Sequence, residues 1–280
     1  MEIELKLNKT VNENANIYFE KAKKLKLKLP GVEKTIEKTN QKIIEFEEEK
    51  ESYLQKKEEK NKLQNHKKKE WYEKFRHTHT ASGLLCVLGK DAGTNEILIK
   101  KHMDENDIVL HTEAAGSPFC VIKNAKDKIS KEELEETAQF LSCFSKQWKA
   151  GFGTADAFWV LPEQLSKKAE SGEYISKGSF MVRGKKNILK NIQLKICLGV
   201  QKKVILNKDK NETEMEKIEY EELFSGSENA CKKYCNSRYI KIEPGNQNYK
   251  SLTKEIKKRL KTHIEDLPKY IPNNCKILKK

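Results

Sequence analysis

His111 and Glu113 stand two residues apart in DIVLHTE (107–113). On a strand, that spacing puts both on one face. Asp91 in GKDAGTNE (89–96) can approach them, and a histidine beside carboxylates forms a general acid–base set. Cations are concentrated further along the chain. Arg183, Lys185 and Lys186 surround Gly184 directly after the apolar step Phe180-Met181-Val182, and Lys177-Gly178 stand at the preceding turn. Glycine lets a backbone approach a phosphate closely, and the cations displace counterions condensed on a nucleic acid. The opening reading is therefore a strand that delivers a phosphate clamp to a surface edge, with a solvated basic hairpin turn as the alternative. Alternation turns Phe180 and Val182 away from Met181 and Arg183, toward a core, while Tyr174 fits either side. RNA processing or modification by His111, Glu113 and Asp91 is the second reading. No nucleophile elbow or Walker loop accompanies these residues. The pairs His77/His79 and Cys231/Cys235 each lack the further ligands of a zinc site, so neither metal nor cofactor is expected.

The charge balance favours a polyanionic partner. The 280 residues carry a formal net charge of +14 and 35% charged residues, against 36% hydrophobic ones. Up to Phe75 there are 19 Lys and 15 Glu, so +10 of the excess falls on residues 76–280. A basic surface of this kind attracts nucleic acid. A Lys-rich solvated face is the plainer alternative for the first part. No run approaches the roughly 18 apolar residues of a membrane span, and Met1-Glu2-Ile3-Glu4 does not begin as a signal peptide does. A soluble, cytoplasmic protein with no membrane partner is expected. Most of the seven cysteines lie in apolar strand-like runs, as Cys86, Cys120 and Cys197 do, which predicts reduced core thiols.

Two regions are expected, an arm over 1–75 and a globular domain over 76–280. In the arm, Val11, Ala15, Tyr18, Ala22, Leu25 and Leu29 continue through Val32, Ile36, Thr39 and Ile43 to Phe46 at alternating steps of four and three. That is the seam of a coiled coil. Pro30-Gly31 does not shift its phase, so it reads as a kink rather than a reversal. The seam stops at EEEKES (47–52), and a more polar helical stretch follows from Tyr53. An antiparallel hairpin is expected, with a dimerising coiled coil as the alternative.

From Arg76, strand-like runs LLCVL, DIVLHT, FCVIK, DAFWVL, SFMVRG, LKICLGV, KKVILN and YIKIEP alternate with turn residues. Helices are expected near Asn95, after the capping box Ser130-x-x-Glu133 with Leu134, Ala138, Leu141 and Trp148 on its apolar face, and near Ser251. The fold class is α+β, or mixed α/β, with a mainly antiparallel sheet.

The segments GKDAGTNE (89–96), DIVLHTEAAG (107–116) and QLSKKAESGEYISKGSFMVRGKKN (164–187) resemble the NFACT-R domain of the RqcH/NEMF family of ribosome-associated quality-control factors. NENANIYFEKAKK (12–24) and WYEKF (71–75) are similar to the two joints of that family's coiled-coil arm. The resemblance implies RNA contact at Lys90, Asp91, Asn95, His111, Lys167, Lys177, Arg183, Lys185 and Lys186. The implied partners are the large ribosomal subunit obstructed by peptidyl-tRNA, and tRNA or rRNA. Because the resemblance begins at the arm, a separate chain with NFACT-N and helix-hairpin-helix parts is a further implied partner. The sequence departs from the family where an Arg of a G-G-R-D step is Lys90, which keeps the charge but loses the planar fork. It departs again where a second His of H-A-D-x-H-G is Ala115, and where His77-Thr78-His79-Thr80 replaces an aromatic run. An RNA-binding component of quality control is expected, with the RNA-modifying enzyme and a coiled-coil adaptor as alternatives.

Overall fold

The structure is a computed structural model that describes residues 3–66, 70–168, 175–207, 216–262, 264 and 266–278. Tyr174 lies outside them. The chain divides into two compact units, 1–67 and 68–280.

The first unit is one helix, α1, Val11–His66. It runs through Pro30, and it also runs through 47–52, where the sequence predicts a reversal. The hairpin expectation is therefore corrected. EEEKES holds no Gly or Pro, and its Glu and Lys are strong helix formers, so nothing there stops propagation. At 56 residues the helix is about 84 Å long. Its seam is uncovered, with Leu25, Leu29, Val32 and Ile36 each more than half exposed. Tyr53 and Leu63, expected on the return helix, have side chains outside the described set.

The second unit has the mixed, mainly antiparallel composition that the sequence predicts. Its strands are β1 (Arg76–His79), β2 (Leu85–Leu88), β3 (Ile108–Thr112), β4 (Cys120–Ile122), β5 (Thr154–Val160), β6 (Leu165–Ser166), β7 (Met181–Val182), β8 (Asn187–Gln193), β9 (Ile196–Asn207), β10 (Glu216–Gly226), β11 (Tyr239–Pro244) and β12 (Cys275–Ile277). Its helices are α2 (Ala92–His102), α3 (Lys131–Cys143), α4 (Lys146–Lys149), α5 (Glu228–Tyr234), α6 (Tyr249–Leu260) and α7 (Leu267–Tyr270). The sheets run β1-β2-β4-β3-β5-β8, β10-β9-β11-β12 and the small pair β6-β7, and every pairing is antiparallel.

Alternation along the central strands sorts their side chains between two cores. Val87, Val121, Val109 and Val160 are register partners in turn, forming one β-branched row across β2, β4, β3 and β5. With Phe75, Phe119 and Phe158 they pack on Leu98 and Ile99 of α2. The alternate residues Cys86, Leu88, Ile108, Leu110, Cys120 and Ile122 turn to the opposite face, where they share a core with α3 and the four-stranded sheet. The helix after Ser130 has the capping box the sequence predicts, with Glu133 N–H donating to Ser130 Oγ and Ser130 N–H to the Glu133 carboxylate. Trp148 is fully buried but sits on the separate α4, after a break at Phe144–Ser145. All seven cysteines are buried and free. Among the described residues, no helix is long and apolar enough to cross a membrane.

His77 and His79 lie on β1 with the Tyr72 ring edge-on to each, at centroid distances of 4.9 and 6.4 Å. Burial holds the His77 imidazole down to about 4, and it lowers His79 in the same direction. A depressed histidine stabilises the fold fully above its unfolded value, and that contribution is lost as pH falls toward the folded value. Between pH 6.5 and 4, His77 should therefore cost about 3 kcal/mol of stability. Urea unfolding at pH 7, 5.5 and 4.5 should show a shallower acid loss in His77→Gln than in the wild type. Parallel curves would refute a buried neutral His77.

Candidate nucleic-acid interface

Asp91 is spent on starting α2. Its Oδ1 accepts from Thr94 N–H at 2.8 Å, and Thr94 Oγ1 accepts from the Asp91 and Lys90 amides at 2.9 and 2.8 Å. The Thr94 amide, the leading cause, holds the Asp91 carboxyl below its usual range. One turn on, the buried Asn95 accepts from Phe119 N–H at 3.2 Å and so ties α2 to β4. Gly89 makes room for it, since a Cβ there would stand 1.9 Å from Asn95 Oδ1.

The turn at 176–179 docks onto the same helix start. Gly178 N–H donates to Glu96 Oε2 at 3.1 Å, and Lys167 Nζ donates to the Ser176 and Ser179 carbonyls at 2.9 and 3.0 Å. The Lys100 ammonium first, and the Gly178 amide second, hold the Glu96 carboxyl down to about 2. Lys167 also lies 5.0 Å over the Phe180 ring, so it positions the turn from behind.

Together these elements enclose a cleft of about 530 Å³ in the second unit. Lys90, Asp91 and Asn95 come to it from the α2 start, His111 from β3, Ala115, Gly116 and Pro118 from the following loop, and Lys177, Gly178 and Phe180 from the docked turn. Segments that are far apart in sequence thus share one wall. Arg76, Phe144, Ser145, Lys149 and Asn273 complete it, and sequence reasoning singled out none of the five. Arg76 carries a cation and begins the globular run, so its charge was visible. Its burial was not. Arg76 is half-buried through its pairing with Leu88, beside Gly89. Trp148 Nε1 donates to the Asn273 and Asn274 carbonyls at 2.9 and 3.1 Å, a contact across more than 120 residues with no local signal.

His111 approaches two backbone carbonyls, Thr112 O at 2.6 Å from Nδ1 and Ser117 O at 3.0 Å from Nε2. Burial outweighs both carbonyls and lowers its imidazole below the usual range. With both ring nitrogens facing backbone, His111 acts as a positioning residue for the 112–117 loop. Glu113 lies 4.0 Å from Lys186. Asp91, His111 and Glu113 therefore each have a structural engagement of their own. Among the described residues, no group of three or more His, Cys, Asp or Glu is placed to hold a metal ion.

Arg183, Lys185 and Lys186 are exposed and outside the lining of the cleft. The strand expected in SFMVRG is the two-residue β7, paired with β6. Gln164 holds the turn by donating from Nε2 to the Arg183 and Lys185 carbonyls, both at 3.0 Å. Gly184 has φ +79°, so the turn needs its left-handed conformation. Lys186 lies 4.4 Å over the Phe158 ring.

Residues 72–184 match the family described as the NFACT protein RNA binding domain. The archaeal Rqc2 homolog aRqcH of Methanocaldococcus jannaschii is 38% identical over 220 residues, 76% of this chain and 30% of that protein. The ribosome quality control complex subunit NEMF of Homo sapiens is 39% identical over 128 residues, 45% of this chain and 12% of that one. The chain thus spans under a third of the length of either relative. The C-terminal part of the fibronectin/fibrinogen-binding protein from Streptococcus suis overlaps 46% of this chain and 47% of its own, with 19% identity and a TM-score of 0.37. That overlap is too loose to establish a shared fold.

Gly178 should be the most sensitive glycine of the cleft. It has φ +78°, and a Cβ would meet Ala92 Cα and O at 2.5 Å, whereas Gly151 has φ +80° with nothing within 4 Å. Gly151→Ala should cost about 1 kcal/mol for the left-handed backbone alone, and Gly178→Ala about 2–3 kcal/mol. Thermal unfolding of both variants checks this, and equal losses would remove the proposed docking of the turn on α2.

Proposed function

We propose that this chain, which carries an NFACT-R domain of the kind found in RqcH/NEMF-like proteins, is an RNA-binding component of ribosome-associated quality control. Its cleft engages the RNA. One observation carries the reading: the three segments that resemble NFACT-R, at 89–96, 107–116 and 164–187, bring Lys90, Asp91, Asn95, His111 and Lys177 to one recess. Phosphate contacts from exposed lysines position a nucleic acid, and they make its affinity salt-dependent. Lys90 and Lys177 supply such contacts at the rim, and the turn of Arg183, Lys185 and Lys186 offers a second set. Asp91, Asn95, His111 and Lys167 hold the rim in place.

The large ribosomal subunit carrying peptidyl-tRNA is the target we infer, supported by the relative named as a ribosome quality control complex subunit. The uncovered seam of α1 supports association of the arm with a further helix, because apolar area left wet forgoes about 25 cal/mol per Å². No observation favours the RNA-modifying reading over this one.

The test is tRNA binding measured across a salt series. Lys90→Ala with Lys177→Ala should lower the slope of log affinity against log salt by about 1.5 to 2 units, as two lost phosphate contacts require. Arg183→Ala, Lys185→Ala and Lys186→Ala together should lower it by about 2 to 3. An unchanged slope in the double variant would overturn the cleft as the RNA contact, and an unchanged slope in the triple variant would remove only the turn.

A further inference from the structure

We infer that the cleft is a single-nucleotide pocket. It takes one nucleotide of an unpaired RNA strand, with the phosphate bound by Arg76 and Ser145 and the nucleoside against Phe180 and Pro118. The inference rests on the RNA-binding reading and narrows it to a ligand class.

Two buried polar atoms at the cleft lack a partner. Ser145 is 1% exposed, and its Oγ makes no hydrogen bond. It precedes α4 at the N-cap position, where a serine side chain ordinarily caps, yet it makes no capping bond. Arg76 Nε is likewise buried and unpaired. Among the described residues, the one contact of its guanidinium with the backbone is Nη1 to Gly89 O at 3.5 Å, too long to satisfy a charged donor. The guanidinium carbon lies over the Phe144 ring, 4.7 Å from its centroid. Burial pushes its proton affinity down, while Asp91 and Asp266 oppose this from beyond ion-pair distance. Buried donors without acceptors are costly, and a ligand that accepts from them removes the cost.

The charge of the cleft specifies the ligand. Arg76, Lys90, Lys149 and Lys177 line it, and the single acid among the described lining residues is Asp91, already bound to Thr94. A phosphate accepts from an arginine fork and a hydroxyl together, and it compensates the excess of cations. The α2 helix start contributes little to this, because its first free amides turn to Asp91 and Thr94. Phosphate alone does not fill the space. The volume of about 530 Å³ lies within the range of about 300–1,000 Å³ typical of small-ligand pockets. Pro118, Ala115 and the Phe180 ring add apolar lining, and that ring makes a T-shaped contact with Phe119 at 5.6 Å. An aromatic face beside a cationic recess accepts an unstacked base, as single-strand binders do. A base-paired duplex presents no such nucleotide, and its width excludes it from a recess of this size.

The test is calorimetric titration of the full chain with adenosine 5′-monophosphate, adenosine and inorganic phosphate. It is joined by competition of the monophosphate against a fluorescent unpaired hexanucleotide and a duplex RNA. The monophosphate should bind at least about ten-fold more tightly than adenosine or phosphate, a factor within reach of one charge-assisted hydrogen bond. It should displace the hexanucleotide and not the duplex. Ser145→Ala and Arg76→Lys should each weaken the monophosphate by roughly ten-fold with thermal unfolding unchanged, Arg76→Lys because it keeps charge and loses the fork. Phosphate binding as tightly as the monophosphate would overturn the nucleotide assignment and leave a plain anion hole. An unaffected Ser145→Ala variant would overturn it too. If the monophosphate fails to bind while tRNA binds with its salt slope intact, the pocket falls and the RNA-binding reading stands. If tRNA does not bind either, both fall.

Discussion

The central strands of the six-stranded sheet are buried on both faces, and the rest of the second unit follows from that constraint. A residue on β2, β3 or β4 has two choices, the core under α2 or the core under α3, and a slip of one residue would exchange them all. The valine row across β2, β4, β3 and β5 fixes the register. Once Val109 faces α2, His111 must face the same way, two residues along. There it closes the 112–117 loop through Ser117 O, while Thr112 Oγ1 meets Ser117 Oγ on the other side. The floor of the cleft is thus a consequence of strand pairing, and α2 is held over the sheet by Leu98 and Ile99, which bury against the valine row.

Electrostatics in the cleft run against folding, which is why they point to a ligand. Burial lowers the Lys90 ammonium first, and Lys269 and Arg76 lower it further as like charges. Elsewhere the chain pairs its buried charges closely. Lys123, for example, reaches the fully buried Asp107 at 2.6 Å and Asp104 at 2.7 Å. The cleft lining brings Arg76, Lys90, Lys149 and Lys177 together instead. Asp91, already bound to Thr94, is the one carboxylate among the described lining residues, and Asp266 opposes the like charges from outside it. A site that accepts this repulsion and an unpaired serine hydroxyl is arranged for something the chain itself does not supply.

Much of the second unit was legible because its signals are local. The runs LLCVL, DIVLHT and FCVIK are short, apolar and bounded by turn residues, and each holds the strand it predicts. Ser130 and Glu133 announce α3 by a reciprocal pair of bonds. What the sequence hid depends on partners distant along the chain. β1 is the polar run RHTH, a strand only because β2 pairs with it. β10 is largely charged on its open side, and its 11 residues are paired throughout with β9. The expected hairpin in the arm failed for the opposite reason, since a change in seam pattern is not a turn when five of the six residues across it are strong helix formers. Of the residues expected at the site, those on β3 and the α2 start were reachable through motif resemblance. Ser145 was not, since nothing about a serine after a helix reveals that its hydroxyl will be buried without a bond.

The substitution at Lys90 can now be placed in the fold. The family it resembles commonly has an arginine at that step, and lysine there keeps a charge but not a planar fork. β1 pairs antiparallel with β2, which sets Arg76 opposite Leu88, one residue before Gly89 and two before Lys90. The Arg76 guanidinium therefore arrives at the same recess from the neighbouring strand, directed toward Gly89 O. Phe144 lies under its Cζ, 4.7 Å from ring centroid to carbon. Under the proposed function the fork is moved rather than lost, and Lys90 is left as a point charge at the rim, where it needs no fixed geometry. Such an exchange requires the two strands to stay in register. In that register His77 pairs with Val87, the first residue of the valine row, so the strand that carries Arg76 is seated against the packing that stabilises the domain.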